Sequence, residues 1–285
     1  MAINYAHAIK NGFKFGFTPK RWLPFFITDI IFFSALLVLT LSNLQLIISS
    51  LAGFTTNPLA LGSLLGYGAV IVGGFIIWFL VKIWIQGAVV HQSYKEKEFD
   101  KSWRVAYKKY LSLLAVVIVV ALISFIVSTV IGFIPYIGWA LTIIASIIIG
   151  LMFFFVLQGI IVSKLGFYKS MKSSYYMFRD KPFEVFIMWL LVGILSIVIL
   201  GIFSLPIVVI FSVILSNIFL GIGLSGAAAA ADPIMTIVSS LQTYLVPIIV
   251  SGVILIVGLA ISQTFALKAQ TEFYQQIKKK KFGLF

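Results

Sequence analysis

The sequence predicts an all-α, polytopic membrane protein. Six transmembrane helices form three helical hairpins, with amphipathic helices lying at one membrane surface. Three observations carry this reading. The 285 residues are 61% hydrophobic and 10% charged, with a mean hydropathy of +1.14. An ordinary soluble domain has about 25% charged residues, and a soluble fold of this length has no means of hiding so much apolar surface. Residues 30–81 and 110–163 carry no charge, and 185–267 carries only Asp232. All 21 Lys and Arg lie outside those stretches, all but Lys82 in four clusters.

A bilayer-spanning helix takes roughly 20 apolar residues, so each of the first two stretches holds two helices and a turn. The third holds two helices and a surplus of about 30 residues by the same allowance. Spans are expected near 22–48, 64–90, 110–133, 137–162, 183–212 and 239–266. Gly53 and Pro58 mark the first turn, and Pro135 and Gly138 the second. The first helix is too long for a cleavable signal peptide, and the apolar pattern continues past it. The surplus, 213–238, includes Ala227–Ala231 and is expected to be an outer-surface or re-entrant segment, because small residues pack on protein more easily than they anchor in lipid.

The cations set the orientation. They precede span 1 (Lys10, Lys14, Lys20, Arg21), separate spans 2 and 3 (Lys95 to Lys109), separate spans 4 and 5 (Lys164 to Lys181) and follow span 6 (Lys268 to Lys281). The positive-inside bias then predicts a plasma-membrane protein with both termini cytoplasmic. A seventh span, made by breaking 185–231 at Pro206, would put Lys278–Lys281 outside, so six spans are preferred.

Aromatic residues recur at helical spacing within the basic clusters. Phe99, Trp103, Ala106, Tyr107 and Tyr110 fall on one face, with Lys101, Arg104 and Lys108 on the other and Asp100 as the expected N-cap. Tyr168, Met171, Tyr175 and Phe178 repeat the pattern among Lys169, Lys172 and Arg179; Tyr5, Ile9 and Phe13 form a weaker stripe beside Lys10 and Lys14. Such helices suit the headgroup layer. Lys101, Arg104, Lys108, Lys109, Lys172 and Arg179 are the expected contacts to anionic lipid, each nearby cation contributing about 1 kcal/mol. That explains the charge better than nucleic acid does, and no nucleic-acid partner is expected. The tail, 268–285, reads as solvated, with contact to a protein partner as the other possibility.

The even-numbered spans end alike, in Gln86-Gly87-Ala88-Val89-Val90, Gln158-Gly159-Ile160-Ile161-Val162 and Gln263-Thr264-Phe265-Ala266-Leu267. Read with the basic clusters, this predicts one transmembrane domain, 1–285, built from three repeats near 1–92, 93–165 and 166–285. Gln86-Gly87-Ala88-Val89-Val90-His91, followed by Phe99-Asp100-Lys101-Ser102-Trp103, resembles the second-to-third helix junction of archaeal six-helix membrane families of unknown function. Phe273-Tyr274-Gln275-Gln276-Ile277-Lys278 is similar to the ending of the same families. These are similar in turn to the membrane domain beside bacterial glycerophosphodiester phosphodiesterases. The resemblance implies a membrane module and not the esterase activity, which in the bacterial proteins belongs to a separate soluble barrel that this chain has no room for.

Few polar groups lie within the spans. Asp29 is roughly 10 Å past Trp22 and Lys82 roughly 13 Å before His91 at 1.5 Å per residue, so an antiparallel hairpin brings them to similar depth. Three readings stay open: an ion pair that locks the hairpin, a snorkelling Lys82 with Asp29 finding another donor, and a polar path or ligand site. Gln86, Gln158 and Gln263 are expected at one depth near the inner face, where they tie helices together or meet a headgroup. Gly62, Gly66, Ala69 and Gly73 form a small-residue face for close packing, against this chain or a second copy. His7 and His91 are expected to be isolated at the interface. No catalytic residues, metal ligands or cofactor motifs are assigned, and the chain has no Cys.

The preferred function is a non-enzymatic membrane module: a lipid-interacting scaffold, or a subunit of a complex or homo-oligomer. The alternative is a transporter with its polar site at Asp29 and Lys82. A membrane-embedded enzyme ranks third.

Overall fold

The computed structural model describes residues 3–43, 58–224 and 242–282, and every regular element among them is helical. Six helical segments are long and apolar enough to cross a bilayer: Pro19–Ser42, Leu65–Tyr94, Tyr110–Gly132, Gly138–Ile161, Pro182–Asn217 and Leu245–Lys278. The chain is an all-α, multi-pass integral membrane protein.

In chain order the helices are α1 (Tyr5–Gly16), α2 (Pro19–Ser42), α3 (Pro58–Tyr94), α4 (Phe99–Lys108), α5 (Tyr110–Gly132), α6 (Gly138–Met152), α7 (Val156–Ile161), α8 (Phe167–Asp180), α9 (Pro182–Leu224) and α10 (Leu245–Phe282). The joints follow local chemistry. Thr18 caps α2 with Pro19 at its first turn, where proline's missing N–H costs nothing, and the Thr18 hydroxyl donates back to Lys14 O at 2.8 Å. Between α5 and α6 the chain reverses through Pro135, with Tyr136 at φ 62°. The expected turn at Gly53 and the segment holding Ala227–Ala231 and Asp232 lie outside the described residues.

Several expectations are corrected. Span 5 does not stop near residue 212: α9 continues to Leu224, with Pro206 inside it, so 213–224 is helix and not loop. Span 4 is broken at Phe153–Phe155 into α6 and α7. α4 starts at Phe99 after Glu98, so Asp100 lies in the first turn and is not the cap. The small-residue face of α3 packs on nothing among the described residues: a Cβ added at Gly62, Gly66 or Gly73 would meet no atom within 4 Å, and Ala69 is exposed.

The amphipathic helices dock largely through small residues. In α8, Ser170, Ser174 and Met177 face the protein, while Tyr168 and Tyr175 are exposed. In α4, Ser102 and Ala106 are buried, and Tyr107 is 75% exposed. In α1 the buried face is Ala8, Gly12, Phe15 and Gly16. Burying small residues lets each backbone approach its neighbour closely. α4 seats Ala106 against Gly87 of α3, α8 seats Ser170 against Gly159 of α7, and α1 seats Gly12 and Gly16 against Phe265 of α10.

The last helix is the hub, touching α1, α2, α3, α7 and α9. One buried cluster surrounds Phe155, Met188, Phe265, Phe273 and Tyr274, and a second surrounds Phe25, Ile83, Val90, Leu113 and Ile160. The well-packed region lies toward the basic clusters. α5 buries only Leu113 and Val116, near its basic end, while Phe125, Val130 and Phe133 further along are exposed.

Candidate functional site

Two groups of polar side chains are built into this frame. The first lies within the spans. Lys82 Nζ is 2.9 Å from both carboxylate oxygens of Asp29, and Trp78 Nε1 donates to Asp29 Oδ1 at 2.8 Å. Trp78 reaches this point because it precedes Lys82 by one helical turn on α3. The Lys82 ammonium also lies 5.1 Å from the centres of the Phe25 and Trp78 rings. Asp29 is 1% exposed and Lys82 6%. The structure thus joins the two residues as an enclosed, bidentate pair, and Lys82 does not snorkel.

The second group lies where the basic clusters meet, and sequence reasoning missed it. Lys268 of α10 is 4% exposed. Its Nζ donates to Ser93 O at 2.8 Å and pairs with Glu96 at 2.8 Å and Glu272 at 2.7 Å. Arg21 reaches the same strip of chain, donating to Gln92 Oε1 at 3.3 Å and Glu96 O at 2.7 Å. The guanidinium stacks over Phe15 and Phe99, and the Lys268 ammonium faces Phe15 as well. Gln92 then donates to Ser102 of α4 at 3.0 Å. Five elements are thereby joined: α1, α2, the end of α3 with its following loop, α4 and α10. One available signal was Lys268 with Glu272, a four-residue spacing that pairs charges on a helix.

All four basic clusters lie at this end. Besides Arg21 and Lys268, Lys109 donates to Lys164 O at 3.1 Å, and Lys278 donates to Ser163 Oγ at 3.0 Å. Ser163 also shares a 2.6 Å bond with Tyr274. The Phe273-to-Ile277 motif is packing: Phe273 stacks on Tyr5, and Gln276 exchanges two hydrogen bonds with the Asn4 backbone. Burial, with the Glu184 carboxylate nearby, pushes the Tyr5 phenol up. Hydrogen bonds from Lys95 and Lys101 hold the Glu98 carboxyl below the usual carboxylate range.

The three glutamines are not joined by hydrogen bonds. Gln158 is fully buried and donates to Gln270 at 3.3 Å, its Oε1 finding no partner among the described residues; the same holds for the buried Gln263 Oε1, and Gln86 is half-buried. Gln158 thereby ties α7 to α10. His91 is buried and not at a free interface, while His7 pairs with Asn11 at 3.0 Å. Among the described residues no group of three His, Asp or Glu side chains is placed to hold a metal ion.

The expected lipid contacts divide. Lys101, Arg104, Lys108, Lys172 and Arg179 are exposed. Lys109 is half-buried and occupied by Lys164 O. Lys101 pairs with Glu98 at 3.1 Å and Arg179 with Asp180 at 3.6 Å; Arg104 and Lys108 have no charged partner among the described residues.

Fold and site together define an α-helical membrane protein whose ionic groups are either paired inside or displayed at one end. No family model, curated protein sequence or solved structure matches the chain.

Proposed function

We propose that this protein is a non-catalytic membrane module that binds anionic lipid at its basic end and serves as a scaffold or subunit in a membrane assembly. One observation carries the reading: α4 and α8 bury small residues inward and display cations and tyrosines outward. Lys101, Arg104 and Lys108 stand beside exposed Tyr107, and Lys172 and Arg179 stand on a helix with exposed Tyr168. Aromatic and cationic side chains in one exposed layer suit the headgroup region of a leaflet. The positive-inside bias makes that leaflet cytoplasmic and places both termini inside the cell.

The intramembrane pair supports a module over a transporter, because Asp29 and Lys82 already neutralise each other in an enclosed site. The three dockings of α4 on α3, α8 on α7 and α1 on α10 support a threefold repeat in which the first unit closes onto the third. A membrane module without hydrolytic activity is also what the resemblance to the phosphodiesterase-associated membrane domains implies.

The test is native mass spectrometry of the full chain from micelles containing equal phosphatidylglycerol and phosphatidylcholine. Two free cations at roughly 1 kcal/mol each favour phosphatidylglycerol by about tenfold or more. Gln substitutions at Lys101, Arg104, Lys108, Lys172 and Arg179 together should abolish that preference. Equal retention of both lipids by the unaltered protein would overturn the proposal.

A further inference from the structure

We infer that the groove between α3 and the α4–α5 elbow is a specific site for one anionic phospholipid, an inference that rests on the lipid-binding reading above. The groove has a volume of about 300 Å³ and is walled by Leu80, Val81, Trp84, Tyr107 and Tyr110. It exists because α4 ends at Lys108 and α5 restarts at Tyr110, so the chain bends at Lys109 beside α3.

The wall is apolar by construction. Trp84 Nε1 donates to Trp103 O at 3.3 Å, and the Tyr110 hydroxyl donates to Leu80 O at 3.2 Å. With those polar atoms occupied, the interior offers ring faces and aliphatic carbon, which suits an acyl chain and not a polar solute. Its volume lies near the lower end of ligand cavities, about 300–1,000 Å³, which fits one chain and leaves the second in the bilayer.

The rim has the opposite character. Tyr107 is 75% exposed, and its hydroxyl has no partner among the described residues. Arg104 precedes it by one helical turn and Lys108 follows Arg104 by another; all three are exposed. Arg104 and Lys108 form no ion pair among the described residues, in contrast to Lys101 one turn back, which pairs with Glu98. A phosphodiester placed there meets two free cations and a hydroxyl above an apolar slot. The guanidinium supplies the fork geometry that a phosphate accepts bidentately. A second apolar groove, about 260 Å³ between α2, α9 and α10, is lined by aliphatic residues, Phe33 and Ser34, and lies within the spans.

The test uses the full chain in micelles with phosphatidylglycerol and phosphatidylcholine, read by native mass spectrometry under rising collision energy. One phosphatidylglycerol should survive on the unaltered protein after other lipids leave. Two separate variants should each reduce that one-lipid species about tenfold or more: Arg104→Gln with Lys108→Gln, which empties the rim, and Leu80→Trp, which fills the slot from a partly exposed position. Tyr107→Ala repeats the second arm should Leu80→Trp unfold. Lys172→Gln with Arg179→Gln should leave the species intact. Retention at the unaltered level in both the rim and slot variants, with selectivity still lost in the fivefold variant, overturns the groove site and leaves diffuse lipid binding standing. Absence of any phosphatidylglycerol preference in the unaltered protein overturns both.

Discussion

The Ser170 hydroxyl occupies the space beside Gly159 that any other side chain would need. A Cβ added at Gly159 would lie 2.1 Å from Ser170 Oγ and 3.1 Å from Ser170 Cβ. The same hydroxyl donates to Val156 O at 2.6 Å, so it has no free direction to yield. Gly159→Ala should therefore destabilise the protein by about 1–3 kcal/mol, the usual cost of overpacking a close contact. Adding Ser170→Ala should recover only part of the loss, because the Cβ contact remains. Thermal unfolding in detergent decides it; an unchanged midpoint for Gly159→Ala would show that α8 is not seated as described.

Ser174, one turn further along α8, has a different task. The break at Phe153–Phe155 disturbs the ladder: Val156 N turns to Phe153 O, which frees Met152 O, and Phe154 N takes Leu151 O, which frees Phe155 N. The Ser174 hydroxyl donates to Met152 O at 2.8 Å and accepts from Phe155 N at 3.1 Å. Unsatisfied buried backbone groups cost about 1–3 kcal/mol each, so Ser174→Ala should lower stability by about 2 kcal/mol or more. Hydrogen exchange should show the Phe155 amide opening first; protection equal to the unaltered protein would remove this role.

How much of this was legible depended on the scale of the signal. The hairpins were legible because a bilayer punishes every charge, so uncharged runs report the spans directly. The depth of Asp29 and Lys82 was legible for the same reason, since helix rise converts sequence distance into depth. Trp78 as the third member was not, because an apolar ring in a span looks like lipid-facing bulk until its N–H is placed. The inward faces of α4 and α8 were not legible because aromatic periodicity dominates a helical pattern, while Ser102, Ala106, Ser170 and Ser174 give a weaker hydropathy signal. The span 4 break left no Gly or Pro to read, since Phe153–Phe155 is as apolar as its surroundings. Lys268 was counted among inner-surface cations because the charge bias says which side a residue is on and nothing about its burial.

The Asp29–Lys82 pair yields a cycle of variants. Removing one partner strands a charge in an enclosed site, a loss that in buried pairs runs to about 3–5 kcal/mol. Asp29→Ala and Lys82→Met should each fall in that range, and the double variant Asp29→Ala/Lys82→Met should lose markedly less than the two added together. Trp78→Phe keeps the ring and deletes one donor to a charged group, at about 1.5–3 kcal/mol. Unfolding titrations of the set give the coupling directly. A fully stable Asp29→Ala protein would move the pair from locking the hairpin to a functional role such as transport.

Lys268 should matter more than either of its acidic partners. Lys268→Met removes the donor to Ser93 O and strands Glu272, which is 18% exposed, in a buried strip beside Phe15. Glu96 is 57% exposed, so water replaces Lys268 there at little cost, and Glu96→Gln should shift stability by no more than about 1 kcal/mol. Glu272→Gln should fall between the two, since Lys268 keeps Ser93 O and Glu96. Lys268→Arg is not a conservative repair, because a planar fork has no room to bond one carbonyl and two carboxylates that converge on a single nitrogen. The expected order of destabilisation is Lys268→Met, then Glu272→Gln, then Glu96→Gln. The same Lys268→Met protein should release α1 and the α3–α4 loop together, because Arg21 and Glu96 meet in one network with Lys268. Limited proteolysis after Lys14 and after Lys97 reads that coupling: cleavage rising at both sites supports one shared junction, and a rise at only one would separate them.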